Sequence, residues 1–366
     1  MVKNIPQVNH KELMEVISLS YEKRLPYFVW GTFGIGKSHM VKEFGKKYAK
    51  EKGLKFSDSI YETGKDIFSV GTIALHQFDP AELKGLPVPN HTTKQTEFYT
   101  TDMLPKDGQG IIFLDELNLA PTMVQNNAYQ LILDRRLGNY VLPEGFFAMA
   151  AGNTIDDRAH VQEMAMPLKN RFGHVELMIP TAKEWVNNFA FKNDVDHRIC
   201  NFLLFKEDYM HKYNPEATED ITACPTPRTW EFTSRAIKGI ENDSLMATLA
   251  GAYVSHGIAN EFVEWLKISR SYDIDEIYKT KKVEIPTDPS EIYALISAII
   301  SYYSKKVKPE VSEALLDIGV QFKPEHAAII LNQAWTVSNK KFFTLLKTQC
   351  PDKLKKAAAK YNNLLL

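Results

Sequence analysis

The 366-residue sequence predicts an α/β fold, a parallel sheet covered by helices, followed by a lid and a C-terminal extension that are helical throughout. Three observations carry that prediction. Short runs such as "LPYFVW" from Leu25, "GIIFLDE" from Gly110 and "GFFAMAAGN" from Gly145 are apolar without alternation, which marks strands buried on both faces. Segments with apolar residues at helical spacing stand between them, and strands alternating with helices close a parallel sheet. After about Pro180 the strand-like runs become rare.

The first strand ends at Gly31, and a helix should follow, because Met40, Phe44 and Tyr48 fall on one stripe while Lys42, Glu43, Lys46 and Lys47 take the other side. That pattern fades at Gly53. The second strand closes on Asp115 and Glu116. "TMVQNNAYQLILDRR" places Val124, Ala128 and Leu131 on one face and reads as a helix of about three to four turns. Beyond Pro180, "HRICNFLLFKEDYMHKY", "TWEFTSRAIKGI" and "NEFVEWLKI" are amphipathic at helical spacing. The polar stretch "SRSYDIDEIYKTKKVEIPTDPSE" separates these from a last helical region. The expected domains are therefore 1–180, an α/β core; 181–270, a helical lid; and 271–366, a helical extension.

Bulk composition narrows the function classes. With 44% hydrophobic and 24% charged residues the chain is ordinary globular protein. Lys plus Arg number 44 against 45 for Asp plus Glu, so no overall positive field advertises a nucleic-acid binder. Cys200, Cys224 and Cys350 stand far apart and form neither a metal knuckle nor an even disulfide set. They read as reduced thiols. The N-terminus lacks a signal-peptide core, and "IYALISAIISYY" from Ile292 is too short to span a bilayer. The expectation is a cytoplasmic protein without a membrane partner.

"GTFGIGKS" matches G-x-x-x-x-G-K-[ST] at Gly31, Gly36, Lys37 and Ser38. Its glycines let backbone N–H groups turn inward around a phosphate, and the following helix adds its positive end. Lys37 reaches the β- and γ-oxygens of a nucleotide, and Ser38 offers a magnesium ligand. The candidate cofactor-binding loop is Gly31, Thr32, Phe33, Gly34, Ile35, Gly36, Lys37, Ser38 and His39. A P-loop alone does not separate a kinase from a motor; the acids do. Asp115, at the carboxyl end of its strand, is placed to hold magnesium, and Glu116 to polarise an attacking water, which a hydrolase needs and a kinase does not. Asn153 ends the neighbouring strand, where its amide can bond the lytic water or a phosphate. Arg171 follows a short helix, and Arg228 falls in the first turn of a helix capped by Thr226 with Pro227 first. A cation there opposes the helix dipole unless an anion lies between them. Taken alone, each arginine reads better as an ordinary surface cation than as a phosphate ligand.

Together, "GTFGIGKS", "FLDELNLAP", "AAGN", "LKNRF" and "TPRTWEF", in that order over roughly residues 20–240, resemble the AAA+ P-loop NTPases, and more narrowly the MoxR-type branch. The resemblance implies that Gly31 to Ser38 are Walker A, Asp115 and Glu116 Walker B, Asn153 sensor 1, Arg171 an arginine finger and Arg228 sensor 2. It implies ATP and Mg2+ as cofactors and a homo-oligomeric ring, most often a hexamer. It also implies that 77–101 holds this branch's insertion within its second helix, and that "DRRLGNYVLPEGF" is the hairpin before sensor 1. Both would project toward a central pore or a client surface, though they read almost equally as surface loops; Arg135 and Arg136 could face a neighbouring nucleotide but read better as a solvated helix end. Relatives act with a separate protein carrying a von Willebrand factor A domain, so a protein client is expected and nucleic acid is not. A nucleic-acid-associated motor and a nucleotide-gated assembly scaffold stay open as alternatives; a small-molecule kinase needs neither finger nor acidic pair.

Overall fold

The computed structural model describes residues 5–99, 103–154, 164–213 and 223–361. It divides into two compact units, 1–179 and 180–366. In the first, the strands are β1 (Gln7–Val8), β2 (Tyr27–Trp30), β3 (Lys55–Ser57), β4 (Ile67–Ala74), β5 (Leu86–Asn90), β6 (Gln95–Tyr99), β7 (Gln109–Asp115), β8 (Arg136–Leu137), β9 (Tyr140–Val141), β10 (Gly145–Gly152) and β11 (Gly173–Leu177). The helices are α1 (His10–Lys23), α2 (Lys37–Lys52), α3 (Pro80–Lys84), α4 (Thr122–Leu133) and α5 (Met166–Lys169).

Seven strands form one parallel sheet in the order β1-β11-β2-β10-β7-β4-β3. The expected α/β parallel-sheet core is the one observed. Alternation along the central strands builds the two faces. On β7, Ile111 and Phe113 join Leu13, Ile17, Met40 and Phe44 of α1 and α2. Ile112 and Leu114 join Val124, Ala128 and Leu131 of α4 on the opposite face. All four β7 side chains are at most 1% exposed, which explains why their run shows no polar alternation. β10 lies between β2 and β7, so the strand leaving the glycine loop and the strand ending in Asp115 are not neighbours. Two antiparallel hairpins, β5–β6 and β8–β9, stand apart from the sheet. β5–β6 occupies most of the segment read as an insertion, whose residues 100 and 101 lie outside the described residues.

The second unit is helical among its described residues, with α6 (Ala182–Trp185), α7 (His197–Phe205), α8 (Pro227–Ile237), α9 (Asp243–Val254), α10 (His256–Ser269), α11 (Ile274–Thr280), α12 (Pro289–Lys305), α13 (Pro309–Gly319), α14 (Pro324–Val337), α15 (Phe342–Gln349) and α16 (Pro351–Tyr361). Helices α6 to α10 share one apolar core and α11 to α16 another. The run "IYALISAIISYY" is α12, buried nearly all round because Ala294 faces the first core and Leu295, Ile296, Ile299 and Ile300 the second. The stretch read as a polar separator contains α11. Asp273 caps it by accepting from the Glu276 N–H, and Tyr278 is buried, so a short helix hides there behind mostly charged side chains.

Candidate nucleotide site

The glycine loop joins β2 to α2, as the motif requires. Gly34 and Gly36 take φ of 73° and 100°, in the left-handed region where a side chain is strained. The N-cap of α2 is Gly36, which has no side chain to bond the first-turn amides that a phosphate would meet. Ile35 turns its side chain into the core, and its carbonyl accepts from His10 Nε2 at 2.8 Å, which pins the loop to the start of α1. Thr32, Phe33 and His39 are half-buried along the loop.

Four of the residues singled out in sequence converge here. The Lys37 ammonium, 8% exposed, donates to Gly31 O at 2.7 Å, Thr32 O at 2.9 Å and Asn153 Oδ1 at 3.0 Å. Ser38 Oγ donates to Asp115 Oδ2 at 2.5 Å. Sheet order explains the meeting: β10 separates β2 from β7, so Asn153, just past β10, stands between the glycine loop and Asp115. Asp115 also accepts from the Glu116 N–H at 3.0 Å through Oδ1. A serine hydroxyl beside one carboxylate is a hard-oxygen pair that suits Mg2+, which takes few protein ligands and completes its shell with phosphate and water. No group of three or more acidic, His or Cys ligands occurs among the described residues.

Glu116 takes φ 54° and ψ 37°, left-handed for a non-glycine residue, where the chain leaves β7. Its Oε2 lies 2.8 Å from His76 Nδ1, just beyond β4. Sequence reasoning missed His76. It also missed Asn118, which is fully buried and bonded to the main chain of Asn153. Their partners, Glu116 and Asn153, lie 40 and 35 residues away, so no local spacing links them.

Arg171 is exposed beyond α5, its guanidinium carbon 5.8 Å from the centre of the Tyr129 ring on α4. The turn that carries it is held by His174, which accepts from Trp30 Nε1 at 2.9 Å through Nδ1 and so donates from Nε2 to Lys169 O at 2.8 Å. Arg171 does not join the Lys37 cluster. Arg228 belongs to the second unit, exposed in the first turn of α8, where Thr226 forms a capping box with Thr229.

No family model matches the chain, and no curated protein matches it. Among solved structures, similarity extends to NtrX from Brucella abortus at 12% identity, covering 96% of this chain and 67% of that one with a TM-score of 0.33. A point mutant of RuvB from Thermotoga maritima is similar at 14% identity over 95% of this chain and 86% of that one, with a TM-score of 0.36. Likenesses this weak carry no functional argument, so the functional reading rests on the site itself. No helix among the described residues is long and apolar enough to cross a membrane.

Proposed function

We propose that this chain is a magnesium-dependent ATPase of the AAA+ type, working in a homo-oligomeric ring to remodel a separate protein. The observation that carries the reading is the convergence of Lys37, Ser38, Asp115 and Asn153 on the glycine loop, with the Glu116 N–H bonded to Asp115. In the proposed mechanism Lys37 exchanges its carbonyl partners for phosphate oxygens, and the loop amides hold the anion in place. Ser38 and Asp115 would hold Mg2+, whose charge offsets that of the phosphates when bound. Asn153 and Glu116 place the attacking water, and Glu116, whose Oε2 lies beside His76, takes its proton. Arg171, exposed and outside the Lys37 cluster, is proposed to act on ATP held by a neighbouring subunit, and Arg228 to act as sensor 2.

The MoxR assignment, a hexameric ring size and a partner with a von Willebrand factor A domain rest on the sequence resemblance alone. The catalytic core of the proposal is tested by Glu116→Gln. The variant is expected to bind ATP as tightly as the natural protein and to lose roughly a hundredfold or more in turnover. Undiminished hydrolysis would remove Glu116 from the role.

A further inference from the structure

We propose that Asn118 is a positioning residue for catalysis, aiming the Asn153 amide at the γ-phosphate side of the glycine loop. This rests on the ATPase reading above. Asn118 is 0% exposed and lies in the single turn Leu117–Leu119 that follows Glu116. Its Nδ2 donates to Asn153 O at 2.8 Å, and its Oδ1 accepts from the Asn153 N–H at 3.2 Å. Both halves of one side-chain amide are thus spent on the main chain of one residue, 35 positions away. That residue's side chain is the one that accepts from Lys37.

The need for such a clamp follows from where the sheet stops. The ladder between β10 and β2 ends with Gly152 opposite Trp30, so Asn153 stands beyond the last ladder pair and Asn118 supplies both bonds in place of a strand. Gly152 makes the room. A Cβ built on it would lie 2.3 Å from Asn118 Oδ1 and 2.7 Å from Cγ, closer than any side chain tolerates.

The test is a double-mutant cycle on ATP turnover. Asn118→Asp keeps the volume and the bond from the Asn153 N–H but sets a second oxygen against Asn153 O; Asn118→Leu removes both bonds. Each is expected to cut kcat by roughly tenfold or more while KM for ATP changes far less. Thermal unfolding identifies a variant that fails to fold, in which case the other supplies the arm. In an Asn153→Ala background no amide remains to be aimed, so the Asn118 substitution should cost nothing further. Losses that multiply in the double variant, or single variants that turn over like the natural protein, would overturn the inference. The Glu116→Gln control separates the two claims: if it abolishes hydrolysis while the cycle is additive, only the role of Asn118 fails. If the natural protein hydrolyses no ATP, the ATPase reading fails and takes this role with it; if Glu116→Gln hydrolyses normally, only the role of Glu116 falls and the cycle still decides Asn118.

Discussion

Arg135 has a left-handed backbone, φ 53°, and donates through Nη1 to Phe146 O at 3.0 Å and through Nη2 to Pro143 O at 2.7 Å. It is not the solvated helix end its sequence suggested. The planar guanidinium ties the start of the β8–β9 hairpin to the start of β10, and partial burial pushes its pKa below the ordinary arginine value. Arg135→Ala should therefore cost about 1–3 kcal/mol, and Arg135→Lys should recover little, because one ammonium cannot span both carbonyls in the same geometry. Chemical denaturation of the three proteins checks this; equal midpoints for natural protein and Arg135→Lys would contradict it. At this scale the glycine loop was legible because its chemistry is contiguous, a short run whose spacing is the mechanism. Arg135, His76 and Asn118 were not, because what each does is decided by a carbonyl or carboxylate that only the folded chain brings near.

Among the elements, the fully buried strands β2, β7 and β10 announced themselves, since burial on both faces demands unbroken apolar runs. The edge strands β1 and β3, two and three residues long, carry too little pattern to be read. α11 was masked by its charges, with only Tyr278 buried along it. At the start of α7, burial holds the His197 imidazole below the ordinary histidine pKa, against the pull of Asp196 and with the help of Arg198. Its Nε2 lies 2.8 Å from Ser301 Oγ on α12. Burial lowers His326 of α14 in the same direction. For such groups the unfolded chain takes up a proton first, so stability is full above the ordinary histidine pKa and is lost as pH falls through it toward the folded value. Melting temperature should fall between about pH 7 and pH 5, before most carboxylates titrate, and His197→Gln should flatten that slope. Parallel slopes for variant and natural protein would show that another group is responsible.

For the whole molecule, sequence established that strands alternate with helices and that helices then take over, but strand order depends on pairings between distant segments. That order is what sets Asn153 between the glycine loop and Asp115. The larger claim, catalysis shared between subunits, is carried by Arg171, which is exposed and outside the Lys37 cluster of its own chain. The most direct measurement mixes two inactive proteins, Arg171→Ala and Glu116→Gln, and follows ATP hydrolysis across mixing ratios. In a randomly mixed ring about a quarter of the interfaces would pair an intact Glu116 with a neighbour's intact Arg171. Activity should therefore appear on mixing and peak near equal amounts. If no ratio restores hydrolysis, or if Arg171→Ala alone turns over at the natural rate, catalysis across a subunit interface is contradicted.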